Sequence, residues 1–544
     1  MGRGENVTLD PATLQVWNSR LAGIADEMGA VLRRAAYSPN IKERADCSCA
    51  LFTPDGTLLA QAEHIPVHLG AMPAAVRAAI DAFGATVAAG DQIVVNDPFA
   101  GGTHLNDITF VAPAHSDDGT LLGWVANRAH HADIGGMVPG SLPPGATEIF
   151  QEGIRIPPVR WTREVEALVV AASRTPEERR GDLDAQLGAN RLGIARLREL
   201  GTAARPVYAE VVDYGERRMR AAIGALPDGA YAFDDVLDST GGPGPPAPAR
   251  IRVAVTVHGD AITFDFAGTD AQRPGSVNSV EAVTVSAVVF ALRSVVDPDL
   301  PANGGVLRPV RVLAPAGSVV AAQMPVAVGA GNVEVSQRVA DVCLGALAQA
   351  APERIGGASQ GTMNNVLVGG DGWVYYETIG GGQGGRPNGH AGMNGVHTGM
   401  TNTRDTPVEA LERAYPVRVR RYGLRNDSGG AGDAAGGDGI VREVEMLEDV
   451  TVSLITERRT SRPWGVAGGA PGAPGENWLL PGGDEARAER LADKCTIAMR
   501  TGDVLRILTP GGGGYGASRP WAVVTPVRGR RRSSPTSRAW DPGT

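Results

Sequence analysis

Two kinds of hydrophobic patterning alternate along the chain. From Asp10 to Ala36 apolar residues recur at helical spacing, Asp10 can cap the run and Pro11 suits its first turn, so a helix is predicted. "DCSCALFTPDGTLLAQA", from Asp46 to Ala62, reads as a β-hairpin turning at Pro54-Asp55-Gly56. "PVHLGAMPAAVRAAIDAF" follows as a loop entering a second helix, and Val94 to His131 interrupts short apolar runs with Gly and Asp, as strands joined by loops do. Helical periodicity returns from Arg179 to Leu226, divided at Pro206.

The Pro- and Gly-rich run "TGGPGPPAPA" marks a boundary before a hairpin around His258-Gly259-Asp260. Helices are expected near Ser279–Val296 and Gln337–Ala350. Beyond them come "ETIGGGQGGRP", "SGGAGDAAGGDG", "GVAGGAPGAPGE" and "TPGGGGYG", without a fixed period, which excludes a solenoid. These loops read as tight turns between strands, or as places where backbone N–H groups approach an anion. The expected fold is mixed α+β with several subdomains and a β-rich, glycine-rich C-terminal half. An α+β region spans 1–240, the glycine-rich region 241–516, and a disordered basic tail 517–544.

Composition narrows the function classes. With 43% hydrophobic and 20% charged residues, the 544-residue chain is that of a folded protein, and its net charge of −9 argues against nucleic acid as partner. Lys42 and Lys494 are its only lysines, and neither follows a glycine, so there is no P-loop. If ATP is used, another chain or an unrelated motif must bind it. Four scattered cysteines make no disulfide framework, and Cys47-x-Cys49 reads as two small side chains buried in a strand. No run approaches a membrane span and no leader signature is seen, so a cytoplasmic location is expected.

The chemistry-bearing residues gather in "NDPFAGGTHLND" (96–107) and "HHADIGG" (130–136). His104-x-x-Asp107 offers an imidazole and a carboxylate at a strand's edge, a donor set suited to Zn, Mn or Fe. His130, His131 and Asp133 can complete a ligand set, and Asp97 can orient a ligating imidazole. The alternative is a turn whose aspartates bond their own backbone. His64 and His68, separated by Pro66, read as hydrogen-bonded loop histidines.

The order of motifs says more. "YSPNIKERADCSCALF", "NDPFAGGTHLNDITFVAP", "NRAHHADIGGMVPGS", "GNVEVSQRVADVCLGAL", "ETIGGGQGGRPNGHAG" and "TPGGGGYG" closely resemble the hydantoinase B/oxoprolinase family, from about Leu9 to Gly516. The resemblance implies a B-type subunit of an ATP-dependent cyclic-amide hydrolase working with a hydantoinase A-type ATPase subunit in a hetero-oligomer. That partner uses Mg-ATP to phosphorylate the substrate oxygen. It also implies a divalent metal on His104 and Asp107, with His130 or His131 as third ligand, and glycine loops that leave room for the phosphorylated substrate. Ketone carboxylase subunits share the pattern and are the rival reading; a non-catalytic scaffold for the ATPase is another. His390 stands where family members often carry an acidic residue.

Overall fold

A computed structural model describes residues 9–517 other than 63, 64 and 69. The expected basic tail from 518 onward and His64 lie outside the described residues.

The first sheet contains β1 (Cys47–Phe52), β2 (Leu58–Ala62), β3 (Ile93–Val95), β4 (Asp107–His115), β5 (Leu121–His130) and β6 (Val159–Arg160), in the antiparallel order β2-β1-β5-β4-β3-β6. Side chains alternate between its faces. Cys47, Cys49, Leu51, Val125 and Ala129 pack on α1 (Pro11–Ala35) and on α5 (Pro176–Leu200). Ala50, Phe52, Trp124 and Ala126 pack on α3 (Met72–Phe83). Asp10 caps α1 through the N–H groups of Ala12 and Thr13, as its sequence predicts. The short α2 (Pro39–Lys42) precedes β1, α4 (Arg163–Ala172) precedes α5, and α6 (Arg205–Ile223) begins at the predicted Pro206 break.

The second sheet, β10-β9-β8-β7, holds β7 (Gly229–Leu237), β8 (Ala249–His258), β9 (Ala261–Asp265) and β10 (Val310–Leu313). Between β9 and its parallel partner β10 runs α7 (Glu281–Val296), which packs with α8 (Ser336–Ala350) in the largest core. The third sheet pairs β11 (Asn365–Gly370) with β12 (Trp373–Glu377) and β15 (Val450–Ile455), the last also with β18 (Lys494–Met499). The fourth runs β13-β14-β19-β16-β17, with β13 (Val417–Arg425) after the short α9 (Val408–Ala414), then β14 (Gly439–Met446), β16 (Glu476–Leu480), β17 (Glu489–Leu491) and β19 (Val504–Leu508). Val366, Val452 and Leu454 of the third sheet share a core with Ile440, Val444 and Ile507 of the fourth. The mixed α+β fold expected from the sequence is the one observed. No helix among the described residues is long and apolar enough to cross a membrane.

The glycine-rich stretches correct the sequence reading. Most are neither hairpin turns nor open anion cradles; extended segments lie directly against one another. Gly385 N–H donates to Gly513 O (2.8 Å), Gly512 N–H to Gly437 O (2.9 Å), Gly437 N–H to Gln383 O (2.8 Å) and Gly514 N–H to Ala470 O (2.8 Å). A Cβ on Gly384 would overlap the carbonyl of Gly357, and one on Gly436 the carbonyl of Gly512. Neighbouring backbone, rather than a phosphorylated substrate, fills the space these glycines leave.

A buried ionic network links the second and third sheets to α8. Arg458 Nη2 reaches Asp235 (2.7 Å) and Asp341 (2.8 Å), Arg338 reaches Asp235 (3.1 Å), and Lys494 pairs with Glu457 (2.5 Å). Breaking one partner of such a network strands a buried charge.

Candidate metal centre

The loop of residues 96–106 connects β3 to β4 and is held by its polar side chains. Asn96 Nδ2 donates to Leu105 O (2.7 Å) and its Oδ1 accepts from Ile156 N–H (2.6 Å). Asp97 Oδ1 accepts from Phe99 N–H (3.0 Å) and opens the turn Pro98–Ala100. Gly101 closes that turn at φ +92° against the carbonyl of Ala74, where a side chain has no room. The loop delivers His104 beneath the sheet face and hands over to Asp107, the first residue of β4. Asp107 is the cross-strand partner of His130, the last residue of β5.

Three donor atoms converge there. His104 Nε2 lies 2.9 Å from Asp107 Oδ1, Asp107 Oδ1 3.2 Å from His130 Nδ1, and His130 Nδ1 3.1 Å from His104 Nε2. His104 Nδ1 faces the carbonyl of Gly329 at 3.1 Å, which fixes a proton there and turns Nε2 toward the cluster. The second oxygen of Asp107 accepts from Thr103 Oγ1 (2.6 Å), and His68 Nε2 stands 3.4 Å from it. Ser48 Oγ and Nδ1 of His68 are hydrogen-bonded at 2.9 Å. The His130 ring stacks on Tyr376 at 4.9 Å, and the Arg44 guanidinium lies 5.0 Å from the centre of the Tyr376 ring.

The electrostatics follow from burial against pairing. Burial pushes the Asp107 carboxyl up, but the His104 imidazole and the hydrogen bonds from His104, His130 and His68 hold it well below the usual carboxylate range. Burial pulls His104 down, and Asp107 overcomes it and raises the imidazole. For His130 burial wins and the ring is held below its ordinary value. These balances favour an ionised Asp107 and a neutral His130, the forms in which such groups ligate a cation. At His104 a cation would take the place of the proton that Asp107 favours.

The other nominated residues lie elsewhere. His131 follows the end of β5 and points to the opposite face, where its Nε2 meets Gln186 Oε1 at 2.8 Å; burial and then Arg179 hold its pKa well below the ordinary value. Asp133 pairs with Arg174 (2.9 Å) and caps Gly140 N–H (3.1 Å). Asp97 orients no imidazole: its second oxygen faces Arg155 at 3.7 Å, and Gly329 does the orienting. His390 is exposed on a turn closed by its own carbonyl and Arg386 N–H.

Four residues that sequence reasoning discounted or missed line a small cavity of about 20 Å³ beside the cluster: Asp46, His68, Asn332 and Tyr376. His68 was visible as one of nine histidines, whereas nothing local to Asn332 or Tyr376 signals the cluster more than two hundred residues upstream. The cavity is large enough for one water. Two buried polar atoms of lining residues, His130 Nε2 and Asn332 Oδ1, have no hydrogen-bond partner among the described residues.

His104, Asp107 and His130 fit a metal ion. Two imidazoles and one carboxylate form the donor set of many divalent metals, and their three separations equal the edge, about 3 Å, of an octahedron with bonds of about 2.1 Å. A tetrahedron with the same bonds has edges of about 3.4 Å.

Residues 10–518 match the Hydantoinase B/oxoprolinase family. 5-Oxoprolinase 1 of Arabidopsis thaliana is 39% identical across 94% of this chain, which spans 42% of that longer protein. The B-type component of a putative D-/L-hydantoinase from a Pseudomonas strain is 32% identical, covering 93% of this chain and 90% of its own. The crystal structure of an ATP-dependent caprolactamase from Pseudomonas jessenii superposes with a TM-score of 0.87 at 31% identity, over 95% of this chain and 93% of that one.

Proposed function

The chain belongs to the hydantoinase B/oxoprolinase family, and from that premise we propose that it is the B-type subunit of an ATP-dependent cyclic-amide hydrolase. The observation that carries the reading is the buried convergence of His104, Asp107 and His130 in a chain similar to an oxoprolinase, a hydantoinase component and a caprolactamase. Those three names share one bond: an amide closed into a ring.

Such an amide is a poor electrophile, and this chain has no P-loop with which to activate it. An A-type partner would use Mg-ATP to phosphorylate the ring carbonyl oxygen and pass the activated ring to this chain. His104, Asp107 and His130 would hold a divalent metal (Zn, Mn or Fe). When bound, that metal supplies Lewis acidity and lowers the pKa of water. The protein's own groups do the rest. Gly329 locks the His104 tautomer, while Thr103 and His68 hold the second oxygen of Asp107. Asp46 lines the water-sized cavity, where its carboxylate can take a proton from an attacking water. His131 and Asp133 take no part; they brace β5 and the loop after it.

Co-expression with an A-type subunit, followed by assay of ring opening on 5-oxoproline, hydantoin and caprolactam with and without ATP, tests the proposal. ATP-dependent opening without bicarbonate is expected. Labelled bicarbonate entering a ketone, with no ring-opened product, would place the chain among carboxylases. Neither reaction, in a complex that still hydrolyses ATP, would leave it a scaffold.

A further inference from the structure

The turn before α8 is wound as a π-helix over Gly331–Val335, with all five residues buried. Extra residues of this kind recur at functional sites because they re-aim side chains without breaking the helix. Gly331 pins the turn against the carbonyl of Asn278, which a Cβ would overlap. The winding sends Glu334 to Thr362 and Asn365 (3.1 and 2.8 Å) and brings Asn332 to the His104–Asp107 pair. Asn332 Nδ2 lies 3.1 Å from His104 Nε2 and 3.3 Å from Asp107 Oδ2, while its buried Oδ1 has no partner among the described residues.

A bound cation would change this arrangement. With Nδ1–H of His104 committed to Gly329, the Nε2 lone pair is the one that binds an ion, so it can no longer accept from Asn332. A positive ion also repels the amide N–H and attracts its oxygen. A half-turn of the amide exchanges the two ends, placing Oδ1 at the 3.1 Å separation from His104 Nε2 that the other ligand atoms already show. The amide N–H would then take the place that Oδ1 holds now.

We propose that Asn332 is a fourth protein ligand of the metal, through Oδ1, with its Nδ2 turned away from the ion. The inference rests on the metal-site reading above and adds to it a residue from a distant part of the chain.

Cobalt(II) titration of the purified full-length chain tests it, because visible absorption reports coordination without any turnover. Asn332→Ala should weaken Co(II) binding about 10–100-fold and change the band shape and intensity. Asn332→Leu fills the same space without a donor atom and should do the same, separating ligand loss from packing loss. Asn332→Asp, which keeps an oxygen, should retain binding. Weaker binding with a superimposable spectrum in both the Ala and Leu variants would make the amide a positioning group and overturn ligation, as would binding within twofold of the parent. His104→Ala serves as the control for the underlying site. If it binds Co(II) normally, or the parent chain takes up none, the metal reading fails together with the inference.

Discussion

Asp107 and His130 face each other as a cross-strand pair at the mouths of β4 and β5, and Asp107 Oδ1 stands 3.2 Å from His130 Nδ1. Antiparallel pairing holds opposed side chains on one face within reach of each other. The same pairing sends the adjacent His131 to the other face, toward Gln186. A one-residue slip in register would exchange the two histidines, so the site depends on the sheet as much as on the loop.

The purified chain should therefore carry close to one equivalent of divalent metal, lost in Asp107→Ala and His130→Ala and kept in His131→Ala. Elemental analysis after desalting measures it. Full metal in Asp107→Ala would return the cluster to an ordinary turn. His131→Ala should instead cost stability, about 1–3 kcal/mol in urea unfolding, because Gln186 loses a buried partner.

Glu152, behind the Gly329 that orients His104, gives a pH signature of its own. Its oxygens accept from Gly329 N–H (2.7 Å) and Val328 N–H (3.3 Å); burial pushes its carboxyl up to about 7, against the pull of those N–H groups. The folded state thus holds the proton more tightly than the unfolded chain, whose value is near 4.5. Its contribution is complete below pH 4.5 and is lost as pH rises through about 7. Thermal melts of metal-free protein should show Glu152→Gln flatter than the parent between those limits, and parallel curves would refute the assignment.

Nucleotide chemistry should belong to the partner. Calorimetry on the isolated chain is expected to show no tight MgATP binding, and co-expression with an A-type subunit to give a stable hetero-oligomer. Micromolar MgATP binding by this chain alone would sink the division of labour.

The glycine stacks predict opposite outcomes for one substitution. Gly436→Ala should destabilise the protein by about 1–3 kcal/mol, because its Cβ meets the Gly512 carbonyl. Gly188→Ala, on α5 with open space around it, should stabilise by about 0.5–1 kcal/mol. Chemical denaturation of both variants decides whether the glycines act as spacers.

Local patterning by itself determined the elements whose cause is local. Asp10 caps a helix because its carboxylate reaches N–H groups two and three residues on, and Pro206 starts one because its ring forbids a continuing turn. The His104-x-x-Asp107 pair was legible in the same way, since the spacing, the glycines before it and the apolar run after it lie within a dozen residues. Only the tertiary structure placed His130, and not His131, beside His104 and Asp107, because which face a side chain takes depends on the register of β5 against β4. It alone brought His68, Tyr376 and Asn332 to the cluster from separate parts of the chain, and it alone showed the glycine loops stacked on each other. These are long-range contacts, selected by burying apolar surface and pairing backbone across the fold, and no short window of residues carries that information.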